Sequence, residues 1–286
     1  MAAYGIWGLM PLYWPLLEPA SAIEILAHRV VWSVLLVGVA VVLLRGGAWL
    51  REVSRRRVVL LGVASVLLTA NWGLYIFAVN SDRVVETSLG YFINPLVTVA
   101  LAVLVLKERL TRPQSMALGL AAGAVVILTL DYGHPPWIAL ALAFSFAIYG
   151  LIKKHVDLDG VESLAIETAI VTLPALAYLL WLGSSGHGTF TTGGAGHALL
   201  LVGAGVATAV PLVCFGAAAV RIPLVTLGLL QFLAPLLQFA IGVLVRHEPM
   251  PPGRIAGFAL VWIAICVFAA DGMRRNRAAV PPTPAG

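Results

Sequence analysis

The sequence predicts an all-α integral membrane protein: ten transmembrane helices arranged as two inverted five-helix repeats. Composition is the first reason. Hydrophobic residues make up 60% of the chain, charged residues only 11%, and mean hydropathy is +0.97, whereas an ordinary soluble domain carries roughly 25% charged residues. The second is that the apolar residues fall in ten runs of near-spanning length. The third is that the second half of the chain echoes the first at an offset of about 140 residues.

Between charged or Pro/Gly-rich breaks, the runs lie near 2 to 17, 24 to 44, 58 to 79, 85 to 106, 113 to 131, 135 to 152, 163 to 182, 198 to 220, 223 to 245 and 254 to 271. Lipid accommodates such runs, because a helix of about 20 apolar residues crosses the hydrocarbon while satisfying its own backbone. The first run leads straight into more membrane-like sequence, so it reads as an uncleaved span and not as a signal peptide. The third, Val58 to Val79, carries no charge, while the second has Glu24, His28 and Arg29 in its first turns.

An even number of crossings puts both termini on one side. With the N-terminus in the cytoplasm, the inner segments hold Arg45, Arg51, Arg55, Arg56, Arg57, Lys107, Arg109, Arg112, Lys153, Lys154, Arg221, Arg274, Arg275 and Arg277. Only Arg29, Arg83, Arg246 and Arg254 are left outside. This bias sets both termini in the cytoplasm of a bacterial-type inner membrane. It also explains the net charge of +5 as a topology signal, so nucleic acid is not an expected partner. Cys214 and Cys266 both lie inside apolar runs and read as small buried packing residues, not as a disulfide framework.

Three matches carry the repeat. Gly5 to Met10 echoes Ala147 to Ile152, Ala22-Ile23-Glu24 echoes Ala165-Ile166-Glu167, and Pro95 with Glu108 echoes Pro235 with Glu248. The repeats span 1–133 and 134–273, followed by a polar, disordered cytoplasmic tail from Arg274 to Gly286. Five helices per repeat force the second to enter the membrane upside down. Transporters use this symmetry to open a midplane site to each side in turn, although channels with inverted repeats also exist.

Ionisable groups within spans are functional suspects because each costs roughly 2.5 to 3.5 kcal/mol to insert. Glu24 and Glu167 are equivalent across the halves and lie toward opposite faces, outer and inner respectively. Glu24 and His28, four residues apart, share a helical face that permits a hydrogen bond and a shared proton. Arg29 points elsewhere on the turn and is a candidate for holding a carboxylate or an anionic substrate. All of these lie near helix ends, where water and headgroups offer a purely structural explanation. Glu86 suits either a helix N-terminus or a site. Glu108 and Glu248 fit a capping or bracing role beside the tight links that follow them.

Asn71, Trp72, Tyr75 and Asn80 in the third span and Tyr91 and Asn94 in the fourth point to a shared polar cavity, with Tyr149, Gln231 and Gln238 as further candidates. The competing use is interhelical bonding, worth about 0.6 kcal/mol per contact, or an interfacial aromatic belt. Pro95 and Pro235 favour kinks and are hinge candidates. Gly119 with Gly123 and Gly253 with Gly257 are small-xxx-small pairs suited to close packing on a neighbour or a second copy.

No phosphate-binding loop or HExxH zinc motif is present, and the aspartates lie outside spans or at their ends. Neither nucleotide hydrolysis nor a metal-dependent intramembrane enzyme is expected, and no cofactor or metal is implied. All lysines lie at helix ends, which argues against a retinal Schiff base.

The strings EILAHRVVWS (Glu24 to Ser33), NWGLYIFAVN (Asn71 to Asn80), ETSLGYFINPL (Glu86 to Leu96), FSFAIYGLIKK (Phe144 to Lys154) and TAVPLVCFGAAAVRIPLVTLGLLQF (Thr208 to Phe232) resemble the RarD-type members of the EamA family, in the drug/metabolite transporter superfamily. The resemblance covers nearly the whole chain. It implies a central cavity lined by the first four helices of each half, with the fifth and tenth at the periphery. It also implies a permease, often an exporter of metabolites or drugs. The chain lacks the short polar lead usual in the group, a departure consistent with a start upstream of Met1.

The expected activity is export of a small metabolite or amphipathic drug in exchange for a proton. Glu24 with His28 and Glu167 would carry the proton, and Asn71, Trp72, Tyr75, Tyr91 and Asn94 would line the cavity. A passive facilitator or a non-transporting membrane component are the alternatives.

Overall fold

The structure is a computed structural model that describes residues 1–45, 53–107, 109–156, 158, 160–219 and 230–279. Glu108, Arg51 and Arg221 lie outside the described residues, as does the segment from 280 onward. Among the described residues there are helices and no strands.

Helix α1 (Ala2–Tyr13) passes into a 3₁₀ turn (Trp14–Leu17), and α2 (Ala22–Arg45) follows. The first half continues with α3 (Arg55–Asn80), α4 (Val84–Leu106) and α5 (Arg112–Tyr132). Then come α6 (Trp137–Val156), α7 (Gly160–Ser184), a one-turn helix (Thr189–Thr192) and α8 (Gly194–Ala219). The last are α9 (Leu233–Ala240), closed by a π-turn (Ile241–Val245), and α10 (Pro252–Ala279). Local sequence sets several boundaries. Ser54 accepts the Arg57 N–H to cap α3, and Thr111 with Gln114 forms a reciprocal capping box at α5. Gly133, at φ 72°, closes α5 in the left-handed conformation that glycine adopts without strain.

Helix is found within every expected span. Among the described residues, seven helices are long and apolar enough to cross a membrane, namely α2 to α5, α7, α8 and α10, while Trp137–Lys153 and Leu233–Val245 are shorter apolar helices. Large hydrophobic side chains such as Leu35, Val66, Leu104, Leu130, Leu173, Leu199 and Leu244 point outward. That outer face suits lipid, which solvates apolar surface and leaves backbone polarity to be satisfied within the helices.

Closely packed helix pairs include α5 with α10, α4 with α6, α2 with α8 and α1 with α9. Each of these crossings has a glycine where no side chain fits. A Cβ on Gly257 would lie 2.5 Å from Leu128, one on Gly90 2.9 Å from the Ala139 carbonyl, one on Gly205 2.4 Å from Trp32, and one on Gly8 2.7 Å from Leu237. Small residues let helices approach when no water is there to drive them together.

Gly253 and Gly257 pack on α5 as their small-xxx-small spacing suggests, while Gly119 and Gly123 meet no other helix among the described residues, which leaves a second copy as their expected neighbour. Other expectations are corrected. Cys266 is exposed and Cys214 half-buried, so neither is a fully buried packing residue. The last helix runs through Arg274 to Ala279, where a disordered tail was expected. Pro235 sits in the first turn of α9, after a turn at Gln231 and Phe232. Its missing N–H therefore falls among donors that lack an intrahelical partner anyway, and it does not kink a continuous helix. Pro95 does lie within the continuous helix α4.

Candidate functional site

Helices α2, α3, α7 and α8 enclose a cavity of about 20 Å³ walled by Ser33, Ser65, Thr69, Trp72, Thr168 and Thr208 among apolar side chains, with Glu167 on its edge. This is room for about one water molecule. The cavity is therefore closed to any larger solute. Four of its five hydroxyls are turned back onto their own helices: Ser33 bonds the Val30 carbonyl at 2.9 Å, Ser65 that of Gly62 at 2.9 Å, Thr168 that of Leu164 at 2.7 Å and Thr208 that of Ala204 at 2.8 Å. A solute in the cavity would meet a wall that is mostly apolar.

Glu167 is buried and held by three donors. Lys153 Nζ lies 2.6 Å from its carboxylate, Ser163 Oγ 2.9 Å and Tyr149 OH 3.1 Å. Lys153 also donates to Ser163, so the hydroxyl accepts from the lysine and donates to the glutamate. The sequence marked Glu167 and Tyr149 but not Lys153 or Ser163. The signal was there, since Tyr149 and Lys153 are one turn apart on α6, and Ser163 and Glu167 one turn apart on α7.

Glu24 and His28 are both buried at the other end of the bundle, but they do not bond to each other. Glu24 Oε1 accepts from the Thr189 N–H at 2.7 Å and from Thr189 Oγ1 at 3.0 Å. Thr189 Oγ1 is also 2.7 Å from His197 Nε2. With the hydroxyl proton on Glu24, His197 Nε2 is the donor, giving the relay His197 to Thr189 to Glu24. His28 instead accepts from Trp32 Nε1 at 3.2 Å and stacks on Phe190, ring centroids 4.9 Å apart. A carboxylate satisfied by a backbone donor and a hydroxyl has no need of the imidazole on its own helix. Thr189, Phe190 and His197 had no signal in the sequence, because the polar, glycine-rich stretch that carries them reads as a loop.

Arg29 lies between two tryptophans. Its guanidinium carbon is 4.0 Å from the Trp72 ring centroid and 5.4 Å from that of Trp14. The side chain is buried, and its Nε has no hydrogen-bond partner. Tyr75 packs edge-on against Tyr91 at 5.7 Å, and its hydroxyl is likewise buried without a partner. Tyr91 OH reaches Asn71 Oδ1 at 3.4 Å, and Asn71 Nδ2 donates to the Leu142 carbonyl at 2.9 Å and to Ser145 Oγ at 2.8 Å. Arg29, Asn71, Trp72, Tyr75 and Tyr91 are thus brought together by α2, α3 and α4. Trp14, which covers them from the 3₁₀ turn, was missed by the sequence reading.

The remaining candidates lie apart. Glu86 is buried but accepts the Ile138 N–H at 3.2 Å, serving the start of α6, with Arg83 3.9 Å away. Glu86 faces a separate cleft of about 190 Å³ with Asp82, Tyr132, His134, Glu248 and Arg254. Glu248 accepts the N–H groups of Val84 and Val85, the latter at 3.0 Å, so it caps α4 and does not brace the link to α10. Burial pushes its carboxyl above the usual 4.5, against the opposing pull of those two donors. Arg246 pairs with Asp82 at 2.6 Å, and Arg254 with Asp131 at 3.2 Å. Asn80 and Asn94 each keep a buried, unpartnered Oδ1. Gln231 is half-buried in the turn before α9, and Gln238 donates to the Trp7 carbonyl at 3.3 Å.

Residues 1–130 match the model of the EamA-like transporter family. The chain is 58% identical to Protein RarD of Streptomyces exfoliatus, over 96% of this chain and 88% of that one. It is 42% identical to the uncharacterized transporter YojE of Bacillus subtilis, over 96% and 93%. A solved structure titled "Crystal structure of protein" superposes with a TM-score of 0.58 at 19% identity, covering 95% of each chain, a likeness of fold alone. The chain belongs to the EamA family, as a RarD-type member of the drug/metabolite transporter superfamily.

Proposed function

We propose that this chain is a secondary transporter of the bacterial inner membrane, with ten spans in two inverted repeats and both termini cytoplasmic. It exports a small metabolite or amphipathic drug in exchange for protons by alternating access. The observation that carries the reading is the cavity beside Trp72. Its walls come from α2 and α3 of the first half and from α7 and α8, their counterparts five helices later. Such a meeting of equivalent helices is where inverted-repeat transporters bind their substrates.

The helix contacts support the same symmetry. Exchanging each helix with its counterpart turns the α1–α9 pair into α6–α4, α2–α8 into α7–α3 and α1–α8 into α6–α3, and all of these pack. The family match on residues 1–130 falls on the first of the two repeats, and relatives along the whole chain are named as transporters. Glu24 and Glu167 stand at opposite ends of the bundle, each in hydrogen-bonded contact with the other half or its own flank, as gates that open in turn would require.

The test is flux from proteoliposomes loaded with a broad metabolite and drug mixture under an imposed pH gradient, read by mass spectrometry. The expected result is one compound class that leaves only with the gradient and stalls in Glu24→Gln or Glu167→Gln. The Lys153–Glu167 ion pair favours a second reading, a facilitator, because a carboxylate neutralised by lysine is a poor proton carrier. The facilitator predicts flux indifferent to the gradient and to both substitutions.

A further inference from the structure

We propose that Arg29 recognises the carboxylate of a small amphipathic monocarboxylate whose apolar body occupies the cavity beyond Trp72; the proposal rests on the transport reading and names its substrate class.

Arg29 is seven residues into α2, about 10 Å below its outer end at 1.5 Å per residue. It is a buried cation at membrane depth, and among the described residues no carboxylate comes within ion-pair distance of it. The buried glutamates are engaged elsewhere: Glu24 with Thr189, Glu167 with Lys153 and Glu86 with the start of α6. A buried charge without a counter-charge is strongly unfavourable, and the tryptophan faces offset only part of that cost. Among the described residues, Arg29 is a positive charge held ready without the negative charge that would complete it.

The surroundings specify the missing partner. Arg29 Nε, Trp14 Nε1 and Tyr75 OH are all buried without hydrogen-bond partners. The two nitrogens can only donate, and the phenol can do so as well. A cluster with donors to spare calls for an acceptor, and the guanidinium fork matches a carboxylate in shape. One unpaired cation balances a single negative charge, which a carboxylate carries and a phosphate monoester, near −2, exceeds.

Trp72 sets the rest of the ligand. One ring stacks on Arg29 and also walls the cavity between α2, α3, α7 and α8. Because four of the five hydroxyls of that cavity bond to their own helices and the rest of its wall is mostly aliphatic, the space offers apolar contact to whatever follows the carboxylate. At about 20 Å³ the cavity is too small for the ligand as it stands, so the ligand enters when the helices part.

The test is equilibrium dialysis of the full chain in lipid nanodiscs, with empty nanodiscs subtracted. The probes are phenylacetate, 4-methylvalerate and indole-3-acetate, each beside its neutral amide, together with phenyl phosphate. The expected result is that at least one acid binds tenfold or more tightly than its amide and than phenyl phosphate. Arg29→Gln should lose that preference and Arg29→Lys keep part of it. Comparing acid with amide on the unmodified chain needs no variant, so a poorly folding substitution does not rescue the idea. Equal binding of acid and amide, no binding of any acid, tighter binding of the phosphate, or an unchanged preference in a well-folded Arg29→Gln would overturn it.

Flux separates this failure from that of the transport reading. Gradient-driven export of a neutral compound, untouched by Arg29→Gln, would remove the carboxylate assignment and leave the transporter. Carboxylate binding without flux of any compound would do the reverse.

Discussion

Glu167 owes its state to Lys153, Ser163 and Tyr149, and its environment differs from that of its counterpart Glu24, which has a backbone amide and a threonine but no cation. The two glutamates that the repeated Ala-Ile-Glu marks therefore sit in unequal surroundings, an ion pair with Lys153 at one and a relay from His197 through Thr189 at the other. Removing one member of a buried ion pair strands the other, at a cost of about 3 kcal/mol. Lys153→Met, which strands the buried Glu167, is expected to destabilise the folded protein by roughly that amount, and Glu167→Gln by less, because the ammonium it strands is partly exposed. The double variant should recover at least about 1 kcal/mol of the sum, read from unfolding of the purified protein by denaturant. Strictly additive losses would show that the pair is not coupled. The repeated Ala-Ile-Glu in the sequence identified both glutamates, yet it was silent on their partners. Thr189 is 165 residues from Glu24 along the chain, and no local pattern encodes so distant a contact. The Glu24–His28 bond inferred from helical spacing failed for a related reason, since sharing a face permits a contact but a better donor from another helix displaces it.

Hydropathy located the helices well, because the demand for an apolar run is local and strong. It was less informative about how they pack. Glycines occur throughout the spans, and only their neighbours distinguish Gly257, set against Leu128, from Gly119 and Gly123, which meet nothing. The break at Gln231 and Phe232 was also invisible to hydropathy, since the residues on either side remain apolar. The α2–α8 crossing is the sharpest test of the packing account, because a Cβ on Gly205 would lie 2.4 Å from Trp32 and 2.6 Å from its backbone. Backbone cannot rotate away as a side-chain tip can. Gly205→Leu is expected to cost about 1–3 kcal/mol or more from overpacking, with a lower melting temperature, whereas Gly119→Leu should leave it nearly unchanged. Equal effects at both sites would contradict the assignment.

Across the bundle, helices of the first half and of the second meet around the small cavity beside Trp72, with the Glu24–Thr189 contact toward one end and the Glu167–Lys153 contact toward the other. An alternating-access device must close one end before it opens the other, so the two contacts should be coupled; in a channel they would be independent. Two-sided labelling tests this directly. In a Cys214→Ser, Cys266→Ser background, a cysteine replacing Ser65 on the cavity wall is exposed to a membrane-impermeant maleimide from each face, before and after a short bis-maleimide links Glu24→Cys to Thr189→Cys. The account predicts that the link abolishes labelling from the Glu24 face and speeds labelling from the opposite face. Labelling from the opposite face at an unchanged rate would contradict it.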